Sequence, residues 1–223
     1  MNLAQATWQA FLDNDGPGQT LVHIELSLTA LVLAVAIGLA LGTMCAKLGR
    51  TAAFALTGLA NLGRTIPTFA LIALILALTS LGFWPAVAGL VLLGVPPILL
   101  NTATGLREAD AGAVDAARGM GYTPLAVLTR VELPLALPLI WAGVRNSAVQ
   151  IIATAALAGV VGAEGLGVIV QSGLANSQTD VLLAGAIPIT ILAALADGLC
   201  AGAERLTTGR GLRVARQTPK GDL

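Results

Sequence analysis

From Leu26 to Ala46, and again from Leu81 to Leu106, the chain runs without a single charged residue. About 20 consecutive apolar residues make a helix long enough to cross the hydrocarbon of a bilayer. In that medium only helices and closed barrels satisfy their own backbone. Three further stretches have the same character. Thr51 to Thr79 is broken by Arg64 and Pro67, Leu135 to Ala158 carries Arg145, and Val181 to Ala203 carries Asp197. The expectation is an all-α, polytopic membrane bundle of five transmembrane helices. Composition agrees: 56% of residues are hydrophobic and only 11% charged, where a soluble domain carries roughly 25% charged residues. The 26 glycines let helix backbones approach closely in lipid.

Basic residues orient the bundle. With the N-terminus outside, Lys47, Arg50, Arg64, Arg107, Arg118, Arg130 and the basic tail all fall on the cytoplasmic side. The outer segments 1–23, 80–85 and 159–180 contain no Lys or Arg, but do contain Asp13, Asp15, Glu164 and Asp180. The positive-inside rule selects this N-out, C-in arrangement. The expected organisation is an extracytoplasmic segment over 1–23, a membrane domain over 24–205, and a basic cytoplasmic tail over 206–223.

Several function classes are excluded. Net charge is zero, with 12 basic and 12 acidic residues, which leaves no basic excess to hold nucleic acid. The two cysteines, Cys45 and Cys200, match no metal or redox spacing, so no metal site is expected. The only histidine, His23, has no G-x-S-x-G beside it. Neither lysine follows a glycine, so the chain has no P-loop with which to bind ATP. The first 20 residues lack a basic start and are interrupted by Asp13 and Asp15, so no cleavable leader is expected.

The segment 107–134 carries seven charges and is too regular in pattern to be a plain connector. Residues 113–120 read as a short helix with Val114, Ala117 and Met120 on one face, and Asp115 and Arg118 on another. Gly121 can end that helix and Pro124 can open the next. Pro134 and Pro138 are expected to mark the return into the membrane. A helix lying on the surface of a bundle can dock a soluble partner and pass its motion on.

Asp115-Ala116-Ala117, three residues, Gly121, nine residues, Val131, one residue, then Leu133-Pro134 resembles the EAA loop of the membrane subunits of bacterial ABC importers. Every spacing agrees, with Asp115 standing for Glu and Val131 for Ile. Arg64-Thr65-Ile66-Pro67 and Val161-Gly162-Ala163-Glu164-Gly165-Leu166-Gly167 are similar to two further segments of the methionine and osmoprotectant importers, with Glu164 in place of a glycine. The nearest likeness is to permeases for glycine betaine, choline and carnitine, and it covers roughly residues 20–205. The resemblance implies a non-catalytic permease subunit of the bacterial inner membrane. Asp115, Ala116, Ala117, Gly121, Val131, Leu133 and Pro134 would couple it to ABC ATPase subunits, which hold the ATP and Mg. It also implies an extracytoplasmic binding protein that selects the substrate. A permease for another small solute, such as a methionine-type amino acid, is the alternative, and an ATP-independent secondary carrier is a more distant one.

Two polar rows lie within the apolar stretches. Thr57, Asn61, Arg64, Thr65 and Thr68 share one face of the second helix, and Asn146, Gln150 and Thr154, next to Ser147 and Arg145, share one face of the fourth. Polar groups at membrane depth face a cavity or a partner. They either line a translocation path or form interhelical hydrogen bonds, Arg64 then snorkelling to the interface. Five helices are too few to enclose a path, so a second permease chain is expected. The three Trp, four Phe and one Tyr are scattered, which does not favour an aromatic cage for a quaternary ammonium. Gly38 and Gly42 read as a packing motif. Asp197 reads as an ion-pair partner near Arg205, and His23 as solvated at the outer end of the first helix. Trp8, Phe11 and Leu12 read as an amphipathic face resting on the outer leaflet.

Overall fold

The computed structural model describes residues 2–48, 58 and 82–208, and every regular element among them is helical. A short helix α1 (Leu3–Asp13) turns at Asn14 and Asp15 into the long α2 (Gly16–Lys47). Then come α3 (Phe83–Arg107) and a nine-residue helix α4 (Ala111–Gly119). A single helical path follows: α5 (Pro124–Val127), a π-helical turn over Leu128–Glu132, and α6 (Leu133–Ala155). A 3-10 turn (Ala156–Val161) leads to α7 (Leu166–Ala175) and α8 (Thr179–Thr207).

Four helical stretches are long and apolar enough to cross a membrane: Gly16–Lys47, Phe83–Arg107, Pro124–Gly159 and Thr179–Thr207, with mean hydropathy between 1.6 and 2.3. The shortest has 25 residues, about 37 Å at the α-helical rise. These match four of the expected spans, although the first starts at Gly16 rather than at Leu26. The remaining expected span, with Thr57, Asn61, Arg64, Thr65 and Thr68, lies outside the described residues.

The core is built by close approach. Lipid is as apolar as a leucine side chain, so helices in it associate through packing and small residues rather than through hiding from water. Gly38 and Gly42 provide this between α2 and α3. A Cβ on Gly38 would stand 2.7 Å from the Ile98 Cβ, and one on Gly42 would stand 2.6 Å from the Thr102 Cβ and 2.8 Å from the Leu99 carbonyl oxygen. Leu26, Ala30 and Ala34 of α2 pack with Leu90 and Ile98 of α3 and Ile151 of α6 in one buried cluster. Ser147 of α6 donates a 2.7 Å hydrogen bond to the Gly94 carbonyl of α3.

Residues 161–180, within one of the expected outer segments, are not a plain connector. They contain α7, whose Leu166 and Ile169 are buried with Ala10 of α1 and Val181, Ala184 and Ile189 of α8. The glycines permit this fold-back: Gly167 lies directly against the Ala156 backbone, where any side chain would collide. Glu164 is exposed, and its backbone does not require glycine. His23 also departs from expectation, being fully buried with Nε2 donating to the Ile152 carbonyl at 3.1 Å. The long α2 carries it below α7, whose preceding Gly165 N–H donates to Gln19 Oε1 at 2.7 Å. Trp8 and Leu12 remain exposed, while Phe11 packs against the α7–α8 cluster.

Replacing Gly42 with Leu places side-chain atoms against Thr102 and the Leu99 carbonyl. The expected loss is about 1–3 kcal/mol of stability, the usual cost of overpacking. It should be read as a lowered melting midpoint of the detergent-solubilised protein.

Candidate functional site

The sequence of α4 sets both its ends. Asp110 Oδ1 accepts the Ala113 N–H at 2.7 Å and caps the start. At the other end Tyr122 N–H donates to the Ala117 carbonyl at 3.1 Å and Gly121 N–H to the Arg118 carbonyl at 2.9 Å. That pair of bonds is a Schellman turn, which requires a left-handed residue. Gly121, at φ 83°, supplies it. Nothing lies within 4 Å of where its Cβ would be, so its glycine answers to backbone conformation and not to space.

One face of α4 docks on the bundle. Val114 and Ala117 are buried with Val127, and Ala109 and Val131 pack around them. Asp115 and Ala116 face outward, and Asp115 pairs with Arg118 at 3.4 Å on the exposed side. Met120 does not join the buried face. The helix has ended by Gly119, and the turn swings Met120 out to 69% exposure. With Leu125, 68% exposed, and the partly exposed Tyr122 it forms an outward apolar edge beside α4. Exposed apolar residues grouped in this way mark interaction surfaces. The sequence pattern missed the edge because Met120 reads as the next member of the buried stripe.

The second half of the motif is helical throughout. Thr123 Oγ1 accepts the Ala126 N–H at 3.3 Å, and Pro124 takes the first helical position. From there the helix runs unbroken past Pro134 and Pro138. A proline in a helix removes one backbone bond and crowds the carbonyl four residues earlier. The chain widens just ahead of Pro134, where Leu133 N–H bonds back to the Leu128 carbonyl across a π turn. Val131 borders the α4 contact, and Leu133 packs on the Leu106, Ala136 and Ile140 cluster. Glu132, in the π turn, has a side chain only 7% exposed and forms an ion pair with Lys47, the last residue of α2. Arg107, at the end of α3, donates to the Cys45 carbonyl of α2 at 2.7 Å.

On α6, Asn146 is exposed and Gln150 and Thr154 are half-buried, and no side-chain hydrogen bond joins any of the three to another described residue. Ser147 belongs instead to the packed face. Asp197 pairs through both carboxylate oxygens with Arg145, and not with Arg205 as the one-helix spacing suggested. A helix-wheel reading compares neighbours on α8 alone, whereas the partner lies across on α6. Trp141 Nε1 donates to Thr207 Oγ1 at 2.8 Å and fastens the same two helices nearer their ends. Asn61, Arg64, Thr65 and Thr68 of the other polar row are outside the described residues.

Membrane-length helices, tied together at one end by polar contacts and bearing a short packed helix there, make up the described part of the chain. The chain belongs to the family of binding-protein-dependent transport system inner membrane components, which it matches over residues 10–207. It is 37% identical over 199 residues to the choline transport system permease protein OpuBB of Bacillus subtilis (strain 168), covering 89% of this chain and 91% of that protein. It is 36% identical over 199 residues to the carnitine transport permease protein OpuCB of Listeria monocytogenes, with the same coverage of 89% and 91%. The osmoprotectant import permease protein OsmW of Salmonella typhimurium is 37% identical over 209 residues, 91% of this chain and 97% of that one. Among solved structures, an inward-facing conformation of the MetNI methionine ABC transporter matches with a TM-score of 0.77 at 24% identity, over 85% of this chain and 94% of that one. At that identity the likeness is one of fold.

The Arg145–Asp197 pair should behave as a coupled unit. Arg145→Gln and Asp197→Asn should each lower the melting midpoint. The double variant should lose less than the sum of the two, as contacting partners do. Strict additivity would show that the two side chains do not depend on each other.

Proposed function

We propose that this chain is the non-catalytic permease subunit of an ABC importer for small osmoprotectants such as glycine betaine, choline or carnitine. The observation that carries the reading is α4: its inner face is seated on the helix bundle by Val114 and Ala117, and its outer side and the adjoining edge stay open. A soluble ATPase, carrying the ATP and Mg, docks there. An extracytoplasmic binding protein delivers the substrate to the opposite face, and a second permease chain completes the path. Five spans in the bacterial inner membrane, N-out and C-in, agree with the distribution of Lys and Arg. The substrate class rests on relatives at 36–37% identity whose names specify choline, carnitine or osmoprotectants. The methionine transporter, at 24% identity, supports the fold and does not bear on the substrate.

Asn61, Arg64, Thr65, Thr68, Asn146, Gln150 and Thr154 are proposed as path-lining residues. For the described three, the support is that they are not among the buried residues of α6 and hold no side-chain hydrogen bond to another described residue. A water-filled cavity satisfies such groups, whereas lipid would not.

The decisive experiment is co-purification with the ATPase and binding protein, followed by ATP hydrolysis. Glycine betaine, choline or carnitine should stimulate the complex, and methionine should not. Gly121→Val forces a β-branched residue into the left-handed region at roughly 1–2 kcal/mol. It should abolish uptake while membrane insertion stays normal, and normal uptake would remove the coupling assignment. Gln150→Ala should leave the melting midpoint of the complex nearly unchanged and lower uptake. A packing role would do the opposite, costing roughly 0.6 kcal/mol of stability with turnover per folded complex intact. A reporter fused after Lys220 should be active only as a cytoplasmic reporter.

A further inference from the structure

We infer that the Lys47–Glu132 ion pair is the positioning contact through which movement of α4 is passed to the first membrane helix, α2. The inference rests on the coupling role given above to α4 and goes beyond it by specifying where the motion leaves the motif.

The route is continuous on the page. Val114 and Ala117 of α4 are buried with Val127 of α5, and Val131 packs beside them. Val131 precedes Glu132 within the π turn, and Arg130 of the same turn lies 6.0 Å from the centre of the Tyr122 ring, in the loop that ends α4. The π turn is therefore held to α4 on two sides. Such turns are rare and cluster at functional positions, because the wider ring of backbone bonds is easily rearranged.

Glu132 then leaves this unit for another helix. Its side chain is 7% exposed, and its ion-pair partner is Lys47, 85 residues earlier in the chain and 48% exposed. A buried carboxylate depends heavily on its partner, since removing one member strands the other in a medium that solvates it poorly. Lys47 is the last residue of α2, so a force on Glu132 acts at the tip of a 32-residue helix. Arg107, donating to the Cys45 carbonyl, holds α3 to the same tip. Displacing α4 thus shifts the ends of α2 and α3 together. Apolar packing also crosses this region, with Ala46 and Leu128 against the Leu106, Ala136 and Ile140 cluster. That packing keeps the helices adjacent. The ion pair adds a specific tie between the π turn and the tip of α2 that apolar packing lacks.

The test uses the complete complex of permease, ATPase and binding protein in lipid vesicles. Basal and substrate-stimulated ATP hydrolysis are measured on the same preparations. Lys47→Gln and Glu132→Gln should assemble and keep basal hydrolysis within about twofold, while stimulation and uptake fall about fivefold, the scale on which single residues alter coupling between sites. Lys47→Arg should retain stimulation. The exchange of Lys47→Glu with Glu132→Lys should recover it at least in part. If Lys47→Gln does not assemble, because it strands the buried Glu132 carboxylate, Glu132→Gln carries the test, since the Lys47 it leaves unpaired is half-exposed and readily solvated. Full stimulation in either single variant, once assembled, would overturn the inference. So would basal and stimulated rates falling in equal proportion in both single variants, the mark of a purely structural pair. Failure of the unaltered chain to co-purify with the ATPase would instead defeat the coupling reading itself.

Discussion

The meeting of α2 and α3 at Gly38 and Gly42 sets the geometry on which the rest of the bundle depends. Within a bilayer, an apolar helix gains little by exchanging lipid for protein unless the backbones come close enough for dense contact. With hydrogen atoms in place of side chains, α2 lies directly over Ile98 and Thr102. This brings the ends of the two helices side by side, where Arg107 can reach the Cys45 carbonyl. It also leaves Lys47 projecting toward the start of α6. A bulkier contact would separate the tips, and both polar ties would lose their reach.

The described charged residues are sorted by what each location tolerates. Asp115 and Arg118 sit on the open side of α4, where a pair is worth little to stability and the groups remain available to a partner. Glu132 is buried and accordingly paired. Arg145 and Asp197, 43% and 37% exposed within membrane-length helices, satisfy one another across α6 and α8. They lie next to Asn146, at the edge of the row proposed to face the path.

Much of this was legible in the sequence, and the parts that were not share a cause. Uncharged runs announced the helices, since nothing else hides a peptide backbone in hydrocarbon. Gly121 and Pro124 announced a helix end and a helix start, since both act through local backbone rules. Gly38 and Gly42 were readable as a contact because their spacing places both on one helix face. What failed was pairing across helices. Asp197 was matched within its own helix because the sequence gives no distance between α6 and α8. His23 was read as solvated because its burial depends on α7 folding back over it, a turn that requires Gly167 to touch Ala156. Glu132 carries no signal in the sequence: as a charge between two motif residues it looks like surface, and its burial against Lys47 depends on the fold. The row on the second expected helix lies outside the described residues.

The π turn at Leu128–Glu132 gives the spacing of the motif a further meaning. A π turn holds one more residue than the α-helical turn it replaces, and a single residue corresponds to about 100° of rotation around a helix axis. Val127 on one side of the turn faces α4, while Leu133, Ala136 and Ile140 on the other face α3. The extra residue is what phases these two faces. Side chains between Gly121 and Val131 are free to vary where they face outward, but their number is not. A one-residue deletion there would leave every apolar side chain present and turn the docking platform about a quarter of a revolution away from the bundle it must move.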